Sequence, residues 1–267
     1  MTTFSENNTL WTDTKSYPLL YVRSCILSRK PYIPGILMIF IERRFLINYH
    51  NDMVYKDKYS MQENGHRRIC EMDALILAGG ENTRIPVPKG FMVINGQRII
   101  DRNVHLFKDI FKRIFISTNA PELYFSTGAI IVGDIIRQKG PMTGICSALT
   151  VSDVSAVFVT ACDMPFINVI LVQYLLERWE RRRDALIPIY RKKPEPLFGI
   201  YSKSIAGVME DSIRKGERSL QAFLGKINVL YVDEEAVRRR DPEGKSFVNI
   251  NTLEDYQKET GGKPCLD

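Results

Sequence analysis

The chain has 267 residues, 45% of them hydrophobic, which is enough to bury a full core and excludes a disordered or staple-dependent mini-protein. Its formal net charge of +6 is a mild positive field, suited to phosphate-bearing small molecules, and its three basic triplets lack the aromatic interleaving of a nucleic-acid surface. Five cysteines without a C-x-x-C pair, and three scattered histidines, exclude a disulfide scaffold and a zinc site and fit a reducing cytoplasm.

Residues 1–71 carry no clear period and no motif with chemistry in it. Their one apolar patch, Ile36 to Ile41, is broken by Glu42, Arg43 and Arg44 and falls well short of the ~20 apolar residues a membrane span needs. This part reads as an N-terminal extension, or as a misassigned start with the functional domain opening at Met72. From there the pattern becomes orderly. Strands are predicted over 74–78, 113–117, 129–132, 156–161, 185–189, 196–201 and 228–232. Helices are predicted over 98–110, 143–150, 167–182, 203–215, 218–225 and 252–259. That alternation predicts an α/β domain over 72–267, three-layered and Rossmann-like, on a mainly parallel sheet.

The first of these strands ends in Gly79-Gly80, with Arg84 and Lys89 one loop-length on. Paired glycines let backbone N–H groups approach a ligand without a Cβ in the way, and the two cations can reach phosphate oxygens. The dinucleotide fingerprint is excluded for want of a third glycine at the right spacing, and the ATPase loop because the order is Lys89-Gly90-Phe91. A second apolar run, Ala156 to Ala161, delivers Asp163 at the rim where open α/β sheets bind ligands, and Pro165 forces the chain to turn there. Asp134 follows the run Ala129 to Val132 in the same way. Two carboxylates facing a glycine loop with cations suit a polyphosphate and a hard divalent cation such as Mg²⁺. Between them Gly140-Pro141 opens a helix whose N-terminus can add N–H groups toward an anion.

In order along the chain, these residues resemble the molybdenum cofactor guanylyltransferases. The resemblance spans 72–267 and rests on Leu77-Ala78-Gly79-Gly80 with Arg84 and Lys89, on Ile116-Ser117-Thr118-Asn119, on Asp134, and on Gly140-Pro141-Met142-Thr143-Gly144. It continues through Cys162-Asp163-Met164-Pro165, Pro194-Glu195-Pro196-Leu197-Phe198, Gly216-Glu217-Arg218-Ser219 and Phe247-Val248-Asn249-Ile250-Asn251-Thr252. It implies transfer of GMP from GTP to the phosphate of molybdopterin with release of pyrophosphate, aided by Mg²⁺, and dealings with proteins that deliver molybdopterin or mature molybdoenzymes. By the same resemblance Leu77, Ala78 and Gly79 meet the guanine end, Ser117 or Asn119 line the nucleotide pocket, and Asp134 sits near base and ribose. Lys89 and Arg84 act on phosphate, Asp163 holds metal and nucleotide, and Asn249 and Asn251 mark the pterin side. One departure stands out: Ile85-Pro86-Val87-Pro88 replaces the family's usual Met-Gly and Asp before the lysine, which stiffens the loop and removes N–H donors.

Overall fold

The computed structural model describes residues 36–41, 44–49, 70–79, 88–138 and 140–260. Twelve strands occur among them. They are β1 (Ile36–Ile41), β2 (Arg44–Tyr49), β3 (Cys70–Leu77), β4 (Val93–Ile94), β5 (Gln97–Arg98) and β6 (Phe111–Ser117), then β7 (Ile130–Val132), β8 (Ala156–Ala161), β9 (Ala185–Tyr190), β10 (Lys193–Pro194), β11 (Gly199–Ser202) and β12 (Val229–Val232). The helices are α1 (Ile99–Lys108), α2 (Pro141–Val151), α3 (Val169–Arg178), α4 (Ala206–Arg214), α5 (Leu220–Leu224), α6 (Glu234–Arg238) and α7 (Leu253–Thr260).

Ten strands form one sheet in the order β1-β2-β7-β6-β3-β8-β11-β9-β10, with β12 paired to β9. Its centre, β7-β6-β3-β8, is parallel. β11 runs antiparallel to both β8 and β9, so β9 points the same way as β8. On the other side β2 pairs antiparallel with β7, Leu46 opposite Val132 and Ile47 opposite Ile131. Backbone from 36–41 and 44–49, ahead of Met72, therefore belongs to the sheet.

β3 shows why the core strands are near-continuous apolar runs: both faces are covered. Ala74 and Ile76 pack into a cluster with Val104 and Phe107 of α1 and Leu171 and Leu175 of α3. Leu75 and Leu77 point the other way, to Ile145 and Leu149 of α2, Met209 and Ile213 of α4, and Phe223 of α5. That is the predicted helix–sheet–helix layering, each helix turning its apolar stripe inward.

The departures are local and have chemical causes. The strand predicted over 196–201 starts only at Gly199, because Pro196 lacks a ladder N–H and the Phe198 N–H instead closes a turn onto the Glu195 carbonyl at 3.0 Å. Helix α2 begins at Pro141 rather than 143, proline being well suited to a first helical turn. The β4–β5 hairpin was not predicted, although Asn95-Gly96, both at positive φ, is the usual chemistry of a two-residue turn. Short α6 was missed too; Asp233 caps it by accepting from the Ala236 N–H at 2.8 Å.

Candidate active site

Strand register brings the predicted residues to one edge. Leu77 stands opposite Ser117 on one side and Ala161 on the other, and Ser117 stands opposite Val132. The four central strands thus end level. The ladder runs one step further: the Ala78 N–H donates to the Ser117 carbonyl at 2.8 Å, Cys162 N–H to the Leu77 carbonyl at 2.9 Å, and Thr118 N–H to the Val132 carbonyl at 3.1 Å. Beyond these bonds the chain is released, so Ala78-Gly79, Asn119, Asp134 and Asp163 all leave the same carboxyl rim.

Asp163 and Lys89 meet there. Lys89 opens a short 3₁₀ turn, Lys89–Phe91, and its Nζ donates to Asp163 Oδ2 at 3.0 Å. The same Nζ donates to Asn251 Oδ1. The turn rests directly on the end of β8: a Cβ placed on Gly90 would lie in contact, 3.4 Å from the Cβ atoms of both Cys162 and Ile100. Asn251 is delivered by three further bonds. Ile250 N–H donates to the Asp163 carbonyl at 2.9 Å, and Asp255 of α7 accepts the N–H groups of Asn251 and Thr252, each at 2.9 Å.

On the far side of β3, where β6 and β7 end, Asn119 Nδ2 donates to Asp134 Oδ2 at 2.7 Å. Partial burial pushes the Asp134 carboxyl above its ordinary range, and the Asn119 bond offsets part of that rise. The loop behind Asp134 is pinned to α2, where Ser147 Oγ accepts from Ile135 N–H at 3.0 Å and donates to the Thr143 carbonyl at 2.8 Å. Helix α2 itself comes close to the strand ends. A Cβ on Gly144 would fall 2.6 Å from Ser117 Oγ and 2.7 Å from Leu77 Cδ2. Without a side chain at 144, the helix, Leu77 and Ser117 form one floor beneath the rim.

Asn249 does not join the lysine. It lines a cavity of about 220 Å³ together with Tyr190, Gly244 and Phe247, whose rings stack 4.9 Å apart. Arg84 and Gly80 belong to 80–87 and lie outside the described residues. Cys162 adjoins Asp163, but burial pushes its thiol up to about 12, so it stays protonated. Among the described residues no group of three or more His, Cys, Asp and Glu is arranged around a common point. Asp163 is instead a single, mostly buried carboxylate, its side chain 15% exposed. One of its oxygens faces an ammonium; the other takes no hydrogen bond among the described residues. A lone hard oxygen donor at a polyphosphate site suits a small divalent cation that draws its remaining ligands from phosphate and water.

Sequence reasoning did not find the Lys89–Asn251 bond, which joins residues 162 positions apart. It also passed over Asn103 and Ser147, which look like ordinary helix positions. Gly144 carried a usable signal, a glycine in the second turn of an apolar helix.

Comparison with known proteins agrees with this geometry. The MobA-like NTP transferase domain matches residues 74–230. The chain is 33% identical over 186 residues to the molybdenum cofactor guanylyltransferase of Syntrophotalea carbinolica, across 69% of this chain and 89% of that protein. With a probable molybdenum cofactor guanylyltransferase of Clostridium perfringens strain 13 the identity is 35% over 194 residues, covering 71% and 96%. The crystal structure of molybdopterin-guanine dinucleotide biosynthesis protein A from Archaeoglobus fulgidus superposes with a TM-score of 0.64 at 29% identity, over 71% of this chain and 97% of that one. With its parallel strands ending level at a rim of Lys89, Asn119, Asp134 and Asp163, the chain belongs to the MobA-like NTP transferase family and, within it, to the molybdenum cofactor guanylyltransferases.

Proposed function

We propose that the chain transfers GMP from GTP to the phosphate of molybdopterin, with Mg²⁺ as the metal, and that the catalytic domain is 72–267. The observation that carries this reading is the double contact of Lys89 with Asp163 and Asn251. One ammonium stands between the end of β8, where a nucleotide triphosphate belongs, and the 249–251 segment, where the acceptor belongs.

An acceptor phosphate oxygen forms a bond to the α-phosphorus while the bond from that phosphorus to the bridging oxygen breaks. Pyrophosphate leaves with the electron pair. The acceptor is already an anion, so positioning and charge neutralisation matter more than a strong base. Lys89 is placed to move from Asp163 to phosphate oxygens and offset the charge that builds on them. Backbone groups of Leu77, Ala78 and Gly79 receive the guanine end, Ser117 shapes the floor, and Asn119 holds Asp134 toward base and ribose. Arg84 is assigned to the outgoing phosphates by its place in the sequence alone. Asp163 would hold the metal, whose chemistry when bound is to neutralise the triphosphate and favour departure of pyrophosphate. Asn251, and Asn249 beside its aromatic cavity, face the pterin.

None of the described helices is long and apolar enough to cross a membrane. The odd number of cysteines with no C-x-x-C pair supports a cytoplasmic setting, where proteins that deliver molybdopterin or receive the finished cofactor would meet the enzyme.

Calorimetric titration of the full chain with GTP, CTP and ATP, with and without Mg²⁺, tests the donor. Incubation with GTP and molybdopterin, followed by detection of the guanine dinucleotide, tests the transfer. Selective GTP binding that Mg²⁺ strengthens, with product formation, is expected. Preference for CTP would reassign the base.

A further inference from the structure

Asn103 is an anomaly in its surroundings. It lies on the inner face of α1, between Ile100, Val104 and Phe107, and is 1% exposed. Its Nδ2 donates to the Met164 carbonyl at 3.0 Å, while its Oδ1 is buried without a partner among the described residues. A buried acceptor left unmade costs on the order of 1–3 kcal/mol, so packing alone favours leucine at this position. What the amide does instead is grip the peptide that follows Asp163.

That peptide is held from several sides. The carbonyl of Asp163 takes the Ile250 N–H at 2.9 Å, and the next carbonyl, of Met164, takes Asn103. Thr160 Oγ1 donates to Met164 Sδ at 3.3 Å, and the Met164 side chain is buried. Two successive carbonyls are thus clamped by groups from remote segments, at the point where the chain leaves β8 and must aim a carboxylate. Pro165 removes the N–H by which a following residue could have fixed the turn locally.

We infer that Asn103 is a positioning residue that orients Asp163 through the Met164 carbonyl, so that metal-bound nucleotide binds tightly. This rests on the reading of Asp163 as the metal and nucleotide ligand. Groups that hold a ligand from behind commonly change metal affinity by about 10–100-fold when removed.

The test uses the full chain and four variants: Asn103→Leu, Asn103→Ser, Val104→Ala and Asp163→Ala. Binding of GTP is titrated with Mn²⁺, followed by its electron paramagnetic resonance, and again with EDTA. Thermal unfolding is recorded in parallel. Leucine fills the site and serine empties it, yet neither reaches Met164. Both are expected to lose about tenfold in Mn²⁺–GTP affinity while metal-free GTP binding stays unchanged. Val104→Ala loosens the same helix without touching Met164 and is expected to lower the unfolding temperature but keep Mn²⁺–GTP affinity. The inference falls if either Asn103 variant binds Mn²⁺–GTP like the wild type while Asp163→Ala does not, or if Val104→Ala shows the same selective loss. Unimpaired Mn²⁺–GTP binding by Asp163→Ala would overturn the reading of Asp163 and this inference with it.

Discussion

Lys89 Nζ sits 3.0 Å from Asp163 Oδ2, with Lys89 28% and Asp163 15% exposed, so the two charges of the rim neutralise each other before any substrate arrives. In the reaction proposed above, a polyphosphate competes with Asp163 for the ammonium, and a cation competes with the ammonium for Asp163. Nucleotide and metal together therefore satisfy both ends of the broken pair, whereas either alone strands one of them. Lys89→Ala is expected to lower kcat/KM by about 10²–10³, in line with the loss of a preorganised charge contact. Steady-state kinetics at saturating Mg²⁺ measure this; a loss below threefold would remove Lys89 from the phosphate site.

Asn251 shares that lysine from the opposite side. Asn251→Ala is expected to raise the KM for molybdopterin several-fold more than the KM for GTP. Equal increases would mean that the asparagine serves mainly to hold Lys89.

The close seat of α2 gives a second handle. Gly144→Ala forces a methyl group into Ser117 and Leu77, an overpacking that costs about 1–3 kcal/mol. Because those two residues floor the rim, GTP affinity is expected to fall along with stability. Denaturant unfolding and GTP titration check the two together; lost stability with full GTP affinity would detach Leu77 and Ser117 from the nucleotide.

At the opposite end of β3 an ion pair has no part in the chemistry. Asp73 is fully buried and accepts from Arg113 Nε at 3.1 Å, Arg113 Nη2 at 2.7 Å and Ser152 Oγ at 2.6 Å, while Arg113 also reaches Asp153. The Asp73 hydrogen bond raises the Arg113 pKa further, despite some burial. Asp73→Ala strands Ser152 Oγ and leaves the partly exposed guanidinium with Asp153 alone, and is expected to cost about 1–3 kcal/mol. Urea unfolding measures the loss, and GTP affinity of the folded fraction is expected to be unchanged.

Glu195 predicts a pH effect of definite sign. Burial pushes its carboxyl from 4.5 up to about 7, against the pull of Lys193 and Arg191. Between those values the folded protein holds the proton more tightly than the unfolded chain does, so stability falls as pH rises through that window. Glu195→Gln removes the penalty. Its unfolding temperature is expected to exceed that of the wild type at pH 8 and to match it near pH 4, below both values. The reverse order would mean that Glu195 finds a partner when ionised.

How much of this was legible in the sequence depends on distance along the chain. Runs such as Ala74 to Leu77 and Ala156 to Ala161 are apolar because both faces of the sheet are covered, and they announce the core strands and the rim residues just beyond them. Asn119 and Asp134 follow adjacent strands, so their meeting was within reach. The contact of Lys89 with Asn251 depends on how the last helix folds back, which no local spacing encodes. Nor does a short motif announce Asn103, whose partner is a carbonyl. Arg84 and Pro86 lie outside the described residues, which resume at Pro88. The pairing of β2 with β7 arises from a stretch whose sequence shows no alternation.

The buried thiol of Cys162 has a stereochemical consequence. Although it adjoins Asp163, it is held as the neutral acid at physiological pH and is a poor nucleophile toward phosphorus. Cys162 therefore offers no covalent nucleotidyl intermediate, and the direct displacement proposed above inverts the configuration at the α-phosphorus. A GTP made chiral there by sulfur substitution should yield a dinucleotide of the opposite hand.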